Sequence, residues 1–254
     1  RGATIESILF FRYGFAVVLL GLFLMLSRQN FKLSGKQAGV LLILGLLYTT
    51  SSLCLFGAYN YIASGLATTL IFLYPVLVAI IMVFLGVVPS WPVWLAIGAT
   101  LGGVEGSLNP IGVGLSLCSA LAYALFIIII NRSKTIASIS NSLLTFYALL
   151  VGAVIFLGKM FFSDAEPLTG LDSGLAWLSL LGMALLPTIV STATLAVATR
   201  NIGATKASVL GVFEPITAIL VGTLMFGEPL TTNIVVGITI SVVAVTVMIS
   251  LTKR

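Results

Sequence analysis

The stretch "GVFEPITAILVG", residues 211–222, places an acidic residue and a proline side by side inside an otherwise apolar run. On a lipid-facing helix, ionised Glu214 would cost about 2.5–3.5 kcal/mol, which favours a location in a helix bundle or a water-filled cavity. Pro215 removes one helical hydrogen bond and leaves the carbonyl of Gly211 for another group to satisfy. The pair therefore predicts a kinked helix whose acid faces away from lipid.

The composition of the whole chain indicates that this setting is a membrane. Hydrophobic residues make up 59% of the 254 residues, charged residues make up 7%, and the mean hydropathy is +1.22. Soluble domains carry about a quarter charged residues, so these few charges could not cover a soluble core of this size. The composition predicts an all-α polytopic membrane protein surrounded by a lipid bilayer.

Nine apolar runs are long enough to cross the bilayer, because a helix of about 20 residues spans about 30 Å of hydrocarbon. They cover residues 5–26, 38–62, 66–87, 91–107, 112–131, 142–162, 174–199, 207–227 and 232–251. The runs lack the alternating polarity, over about ten residues, of membrane β-barrel strands. We therefore expect nine transmembrane helices.

The basic residues are divided unequally between the predicted loops. One side of the membrane receives most of them, namely Arg28, Lys32, Lys36, Arg132, Lys134, Arg200, Lys206, Lys253 and Arg254. Because short loops rich in Lys and Arg stay in the cytoplasm, this distribution predicts a cytoplasmic C-terminus. The net charge of +5 is a consequence of topology, and we expect no nucleic-acid partner.

An internal repeat emerges when the chain is shifted against itself by 140 residues. The shift aligns Pro75 with Pro215, Pro89 with Pro229, and Ser51 with Ser191. The second half holds five spans and the first half four, so we expect a first helix to precede residue 1. Because five is odd, the halves would enter the membrane from opposite sides as an inverted repeat. The predicted halves are 1–107, with helices 2–5 of a ten-helix fold, and 112–254, with helices 6–10.

Three stretches carry a resemblance to a known family. They are "FFRYGFAVVLLGL" at 10–22, "AYNYIASGLATTLIFLYPVLVAIIMVFLG" at 58–86 and "ATRNIGATKASVLGVFEPITAILVGTLMFGEPLT" at 198–231. The chain resembles, over essentially its whole length, the EamA branch of the drug/metabolite transporter (DMT) superfamily. The resemblance implies a carrier of two five-helix halves in the bacterial plasma (inner) membrane.

The resemblance also implies a function. We expect export of a small organic metabolite, such as an amino acid or a related compound, or of an amphiphilic drug. Movement would occur by alternating access around a site near the midplane. No cofactor is expected, and the residues leave proton coupling and facilitated diffusion both open, since a permanent basic partner would keep Glu214 ionised.

The candidate site residues are polar or aromatic side chains inside the spans, together with two prolines as hinges. The central cavity is predicted to contain Arg12, Tyr74, Glu214, Tyr123, Tyr147, Ser51 and Ser191, and the hinges are Pro75 and Pro215. Arg12 and Glu214 are each predicted near the midplane, where they could face one another. The alternative is that these residues are structural: an ion pair that holds helices together, packed aromatics, and kinks that never move.

Two other classes of protein remain as alternatives, a membrane-embedded enzyme and a scaffold or receptor. The chain has no histidine, no phosphate-binding glycine loop and no nucleophile with an activating partner, so an enzyme is not expected. Cys54 and Cys118 lie in apolar runs and are interpreted as small core residues rather than a disulfide or metal pair. Gly98, Gly102 and Gly106 permit a close helix contact, for which an internal contact in a monomer is favoured over a homodimer.

Overall fold

The computed structural model describes residues 5–62, 67, 70–86, 109–161 and 173–211. Within these ranges the protein is all-helical, and five helices are long and apolar enough to cross a membrane. They are Ser7–Leu26, Gly35–Ala58, Pro110–Arg132, Asn141–Met160 and Gly174–Ile202. The prediction of an all-α, multi-pass integral membrane protein is therefore confirmed. The nine-helix count and the inverted repeat stay predictions.

Several helices begin and end close to the predicted bounds, whereas the helix in the third predicted span covers only Tyr74–Phe84. The helices are α1 (Ile5–Leu26), α2 (Gly35–Ala58), α3 (Tyr74–Phe84), α4 (Pro110–Arg132), α5 (Asn141–Phe161), α6 (Gly174–Ala184), α7 (Ser191–Ile202) and α8 (Ala204–Leu210). A π-helical segment, Leu185–Val190, joins α6 to α7 within one predicted span. The spans predicted at 91–107 and 232–251, and most of 207–227, lie outside the described residues.

Polar residues fix the starts of several helices. Ser34 Oγ accepts from the Gln37 amide at 3.3 Å while Gln37 Oε1 accepts from the Ser34 amide at 2.9 Å, which is a reciprocal capping box before α2. Asn109 Oδ1 accepts a hydrogen bond at the start of α4, whose first residue is Pro110. Ser173 caps α6 in the same way. Each cap satisfies an amide that the helix itself cannot pair.

The described chain groups into two compact units. Unit 1 comprises Arg1–Ser52 and Ile129–Asn201, and unit 2 comprises Leu53–Ile128 and Ile202–Arg254. Each unit draws on both of the halves predicted from the sequence. The division of the sequence at 107–112 stays a prediction.

In unit 1, helix α1 packs against α5, α6 and the π segment. Tyr13 and Phe156 are fully buried in this core. Glycines allow the close approach of α5: a Cβ on Gly152 would lie 2.5 Å from Tyr13 Cδ1, and a Cβ on Gly45 of α2 would lie 2.5 Å from Val151 Cβ. Small residues at such crossings let helix backbones approach closely, which is how membrane helices gain packing energy.

Loops predicted to share one side of the membrane lie together at one end of unit 1. Arg200, near the end of α7, donates to the carbonyl oxygens of Ile139 at 2.6 Å and Ile136 at 2.8 Å in the loop after α4. Gln37 Nε2, at the start of α2, donates to Ser138 Oγ in the same loop at 3.2 Å. The identification of this end with the cytoplasm stays a prediction.

In unit 2, α3 packs against α8. Span three breaks at Phe72–Leu73, and α3 begins at Tyr74 with Pro75 in its first turn. A proline in the first turn loses nothing, because that amide has no helical partner in any case. The prediction of a break near Pro75 is consistent with this geometry, and a hinge motion there stays a prediction.

The prediction that both cysteines are core residues is wrong for Cys118. Its side chain is exposed on α4, and Cys54 on α2 is only partly buried. An apolar run in a membrane helix has a lipid-facing side as well as a packed side, so membership of the run does not predict burial.

Candidate functional site

In the part of unit 1 that the structure describes, hydrogen bonds pair polar side chains inside the membrane spans. We call these six residues the polar cluster; they are Arg12 and Tyr13 of α1, Tyr48 and Ser52 of α2, Thr188 of the π segment and Thr192 of α7. Four of the six, including both tyrosines and both threonines, are buried. A hydroxyl in an apolar interior requires a partner, and each member of the cluster has one.

Arg12 is the charged member of the polar cluster. Its Nε donates to Thr188 Oγ1 at 2.6 Å, and its Cζ lies 6.0 Å from the centre of the Tyr13 ring. The first contact is a charge-assisted hydrogen bond, and the second is an attraction between the guanidinium and the ring quadrupole. With the described residues, Nη1 and Nη2 form no hydrogen bond, which leaves the planar fork of the guanidinium for another acceptor.

Thr188 owes its position to the proline before it. Pro187 has no N–H, so it cannot bond to the carbonyl of Met183 four residues earlier. The helix widens here to the π form, and Thr188 Oγ1 donates to that same carbonyl oxygen at 2.8 Å. The threonine hydroxyl thus replaces the missing main-chain bond while it accepts from Arg12. Single π turns within α-helices are frequent at functional sites.

Tyr13 forms the centre of the polar cluster. Its ring meets Phe156 edge-on with centroids 4.9 Å apart and lies 5.9 Å from the ring of Tyr48. Its hydroxyl shares a hydrogen bond of 2.7 Å with Ser52. Beside it, Thr49 Oγ1 is buried and has no hydrogen-bond partner among the described residues. Packing on several sides and one short hydrogen bond leave the Tyr13 ring little freedom.

The repeat offset of 140 residues connects members of the polar cluster. It aligns Tyr48 with Thr188 and Ser52 with Thr192, and Tyr48 Oη shares a hydrogen bond of 2.9 Å with Thr192 Oγ1. Positions 48 and 52, like 188 and 192, are four residues apart and therefore lie on one face of a helix. These four residues were not predicted from the sequence, although polar side chains four apart in two apolar spans at the repeat offset were a usable signal.

The two serines predicted from the repeat behave differently from each other. Ser51 is buried in unit 1, whereas Ser191 is exposed at the first turn of α7. Its neighbour Thr192 faces inward instead and pairs with Tyr48. Ser52 and Thr192, which form hydrogen bonds between helices, each lie one position after the serines that the repeat offset aligns.

In unit 2 the structure brings two predicted residues together. The rings of Tyr74 and Tyr123 meet edge-on with centroids 4.9 Å apart, and Tyr123 stacks on Phe126 at 6.2 Å. Tyr74 is 2% exposed, and its Oη occupies the space that a Cβ on Gly211 would need. Gly211 is the residue whose carbonyl Pro215 was predicted to leave unpaired.

Tyr147 takes part in a contact with a loop. Its hydroxyl donates to the main-chain carbonyl of Phe31, in the loop after α1, at 2.8 Å. Glu214 and Pro215 lie outside the described residues, so the predicted pairing of Arg12 with Glu214 and the second hinge stay predictions. The same holds for a cavity role of Tyr147.

Comparison with known proteins places this arrangement in a family. The model of the EamA-like transporter family matches residues 1–108 and 110–250. A solved crystal structure superposes with a TM-score of 0.77 at 16% sequence identity. The match covers 98% of this chain and 88% of the chain in that structure, and it supports the fold alone. No curated protein matches the chain. With both family matches together spanning nearly all of its residues, this chain belongs to the EamA-like transporter family.

Proposed function

We propose that the protein exports a small organic metabolite, such as an amino acid or a related compound, or an amphiphilic drug. Transport would proceed by alternating access around a site near the membrane midplane that includes Arg12. Membership of a transporter family supports a small-molecule substrate and a bilayer setting. The substrate class, the outward direction and the mechanism are our proposals.

The position of Arg12 is the observation that carries this proposal. It lies seven residues after the start of α1, which corresponds to a depth of about 10 Å at 1.5 Å per residue. A cation inside a membrane span is costly, and such residues usually mark substrate or ion pathways. The bond to Thr188 engages Nε and leaves two nitrogens for a polar group of the substrate.

Glu214 enters the proposal as a second, coupling group. We propose that it titrates or pairs with Arg12 during the transport cycle, with Tyr74 and Tyr123 lining the path and Pro75 and Pro215 as hinges. A lone acid in an apolar cavity can exchange a proton, whereas a permanently paired acid favours facilitated diffusion. Flux into proteoliposomes, measured with and without a pH gradient, distinguishes the two.

The test of the proposal is flux in proteoliposomes for a panel of amino acids, nucleosides, sugar phosphates and amphiphilic cations. We expect Arg12→Gln to lower the flux of the transported compound by about tenfold or more, because a charged hydrogen bond contributes about 1.5–3 kcal/mol. Lys36→Gln, which removes an exposed charge at the start of α2, is the matched control and should keep wild-type flux.

Two outcomes would contradict the proposal. One is a folded Arg12→Gln variant, verified by thermal stability and gel filtration, with wild-type flux for the transported compound. The other is recovery of the compound in a chemically altered form, detected by mass spectrometry, which would favour the membrane-embedded enzyme.

A further inference from the structure

Within unit 2, the end of α2 and the turn after it lie against the first half of α4, and the two segments run in opposite directions. A Cβ on Gly57 would lie 3.6 Å from Leu115 Cδ1, and a Cβ on Gly112 would lie 2.8 Å from Ile62 Cγ2. Moving forward along α2 therefore means moving backward along α4. Gly112 lets the turn after α2 come close to the first turn of α4.

The same register brings the two cysteines of the chain together. Cys54 lies three residues before Gly57, and Cys118 lies three residues after Leu115. Each cysteine is therefore about one helical turn from a residue of the Gly57–Leu115 contact, on the same face of its helix. The two thiols lie close enough to each other to interact. Both are free thiols, and Cys118 is exposed. The pair is therefore a preformed dithiol between two membrane helices.

We propose that Cys54 and Cys118 form a binding site for one mercuric ion. Each thiol releases a proton and forms one Hg–S bond, so that the ion is held in a linear, two-coordinate arrangement with both sulfurs. The product carries no net charge, which suits an apolar surrounding where an uncompensated charge is costly. The reaction needs no oxidant, since two protons leave and one divalent ion enters.

The chemistry of the surroundings disfavours other soft metals. Zinc sites in proteins are almost always tetrahedral and need four ligands or three with water. The chain has no histidine, and among the described residues no group of three or more potential ligands occurs. A cuprous ion between two thiolates would keep one negative charge in the apolar seam. The mercuric ion, a divalent ion that prefers linear coordination by two thiolates, fits best.

The experiment titrates the full, reduced chain in lipid nanodiscs with mercuric chloride. Near-ultraviolet absorbance from Hg–S bonds should reach its endpoint at one mercury per chain, and both thiols should then be closed to a maleimide reagent. Intact mass should rise by one mercury less two hydrogens. The bridge should resist a glutathione wash and raise the thermal midpoint by several degrees, since binding to the native state alone stabilises it.

The variants C54S and C118S should each hold mercury through one sulfur and lose it to glutathione. The matched control is C118S/S119C, which keeps two thiols but moves one by a residue, about 100° around α4; it should also lose the metal in the wash. The proposal is overturned if wild type takes up two mercury ions per chain. It is equally overturned if wild type releases mercury to glutathione as readily as C118S does. This comparison does not depend on the identity of the transported substrate.

Discussion

Replacing Gly152 by alanine tests how closely α5 approaches the polar cluster. The added Cβ would lie 2.5 Å from Tyr13 Cδ1 and 2.8 Å from Thr49 Oγ1, where ordinary carbon contacts begin at about 3.5 Å. The ring of Tyr13 would therefore have to move by about 1 Å. Phe156 packs against that ring, and a movement of this size breaks the 2.7 Å bond to Ser52.

The expected cost follows from three contributions. Overpacking a close-packed core costs about 1–3 kcal/mol. Loss of the Tyr13–Ser52 hydrogen bond costs about 0.5–1.5 kcal/mol, and the better helix propensity of alanine returns about 0.8–1 kcal/mol. We therefore expect Gly152→Ala to lower the free energy of unfolding by about 1–3 kcal/mol.

The assay measures unfolding in mixed micelles, induced either by heating or by titration with SDS. The matched control is Gly158→Ala on the same helix, where a Cβ would meet no atom within 4 Å. At roughly 2–4 °C for each kcal/mol, Gly152→Ala should lower the Tm by roughly 2–12 °C relative to that control. A double variant with Tyr13→Leu should show a smaller additional loss. Equal stability of the two alanine variants would refute the close approach.

Three other substitutions have defined expectations in the same unfolding or proteolysis assays. Thr188→Val removes the partner of Arg12 and should lower the free energy of unfolding by about 1.5–3 kcal/mol. Thr194→Val, at an exposed position, should lower it by less than about 0.5 kcal/mol, and equal losses in the two variants would contradict this expectation. Gly211→Ala should destabilise, with partial rescue by Tyr74→Phe, and no rescue would mean the hydroxyl is not the obstacle. Arg200→Gln should speed proteolysis of the loop at 133–140, and unchanged cleavage would show that its two bonds do not hold the loop.

Hydrophobicity and capping residues made much of the fold predictable. The span at 5–26 coincides with α1, and "NP" at 109–110 marks the start of α4. These features are local: an apolar run of sufficient length and a polar cap act through the residues of one helix. The same local signals could not show which side of a run packs and which meets lipid, and the exposure of Cys118 was missed for that reason.

The candidate site was predictable only in part, because it depends on which helix faces meet. Arg12 was predicted as an intramembrane charge, and in the structure its Nε donates to a polar side chain. Its partner Thr188 was not predicted, and the repeat gives no signal there because Leu47 lies opposite Pro187. Prolines that match between the two halves do not reveal a π turn that occurs in one half alone.

The π segment also shifts the phase of its helix. An α-helix turns about 100° per residue, so one additional residue in a turn rotates everything beyond it by that amount. The apolar stripe of α6 therefore does not continue as a single stripe along α7. Deleting one residue from Leu185–Val190 would restore a uniform helix and carry Thr192 about 100° away from Tyr48. The length of this short segment, more than any single side chain in it, determines which residues of α7 face the core and which face lipid.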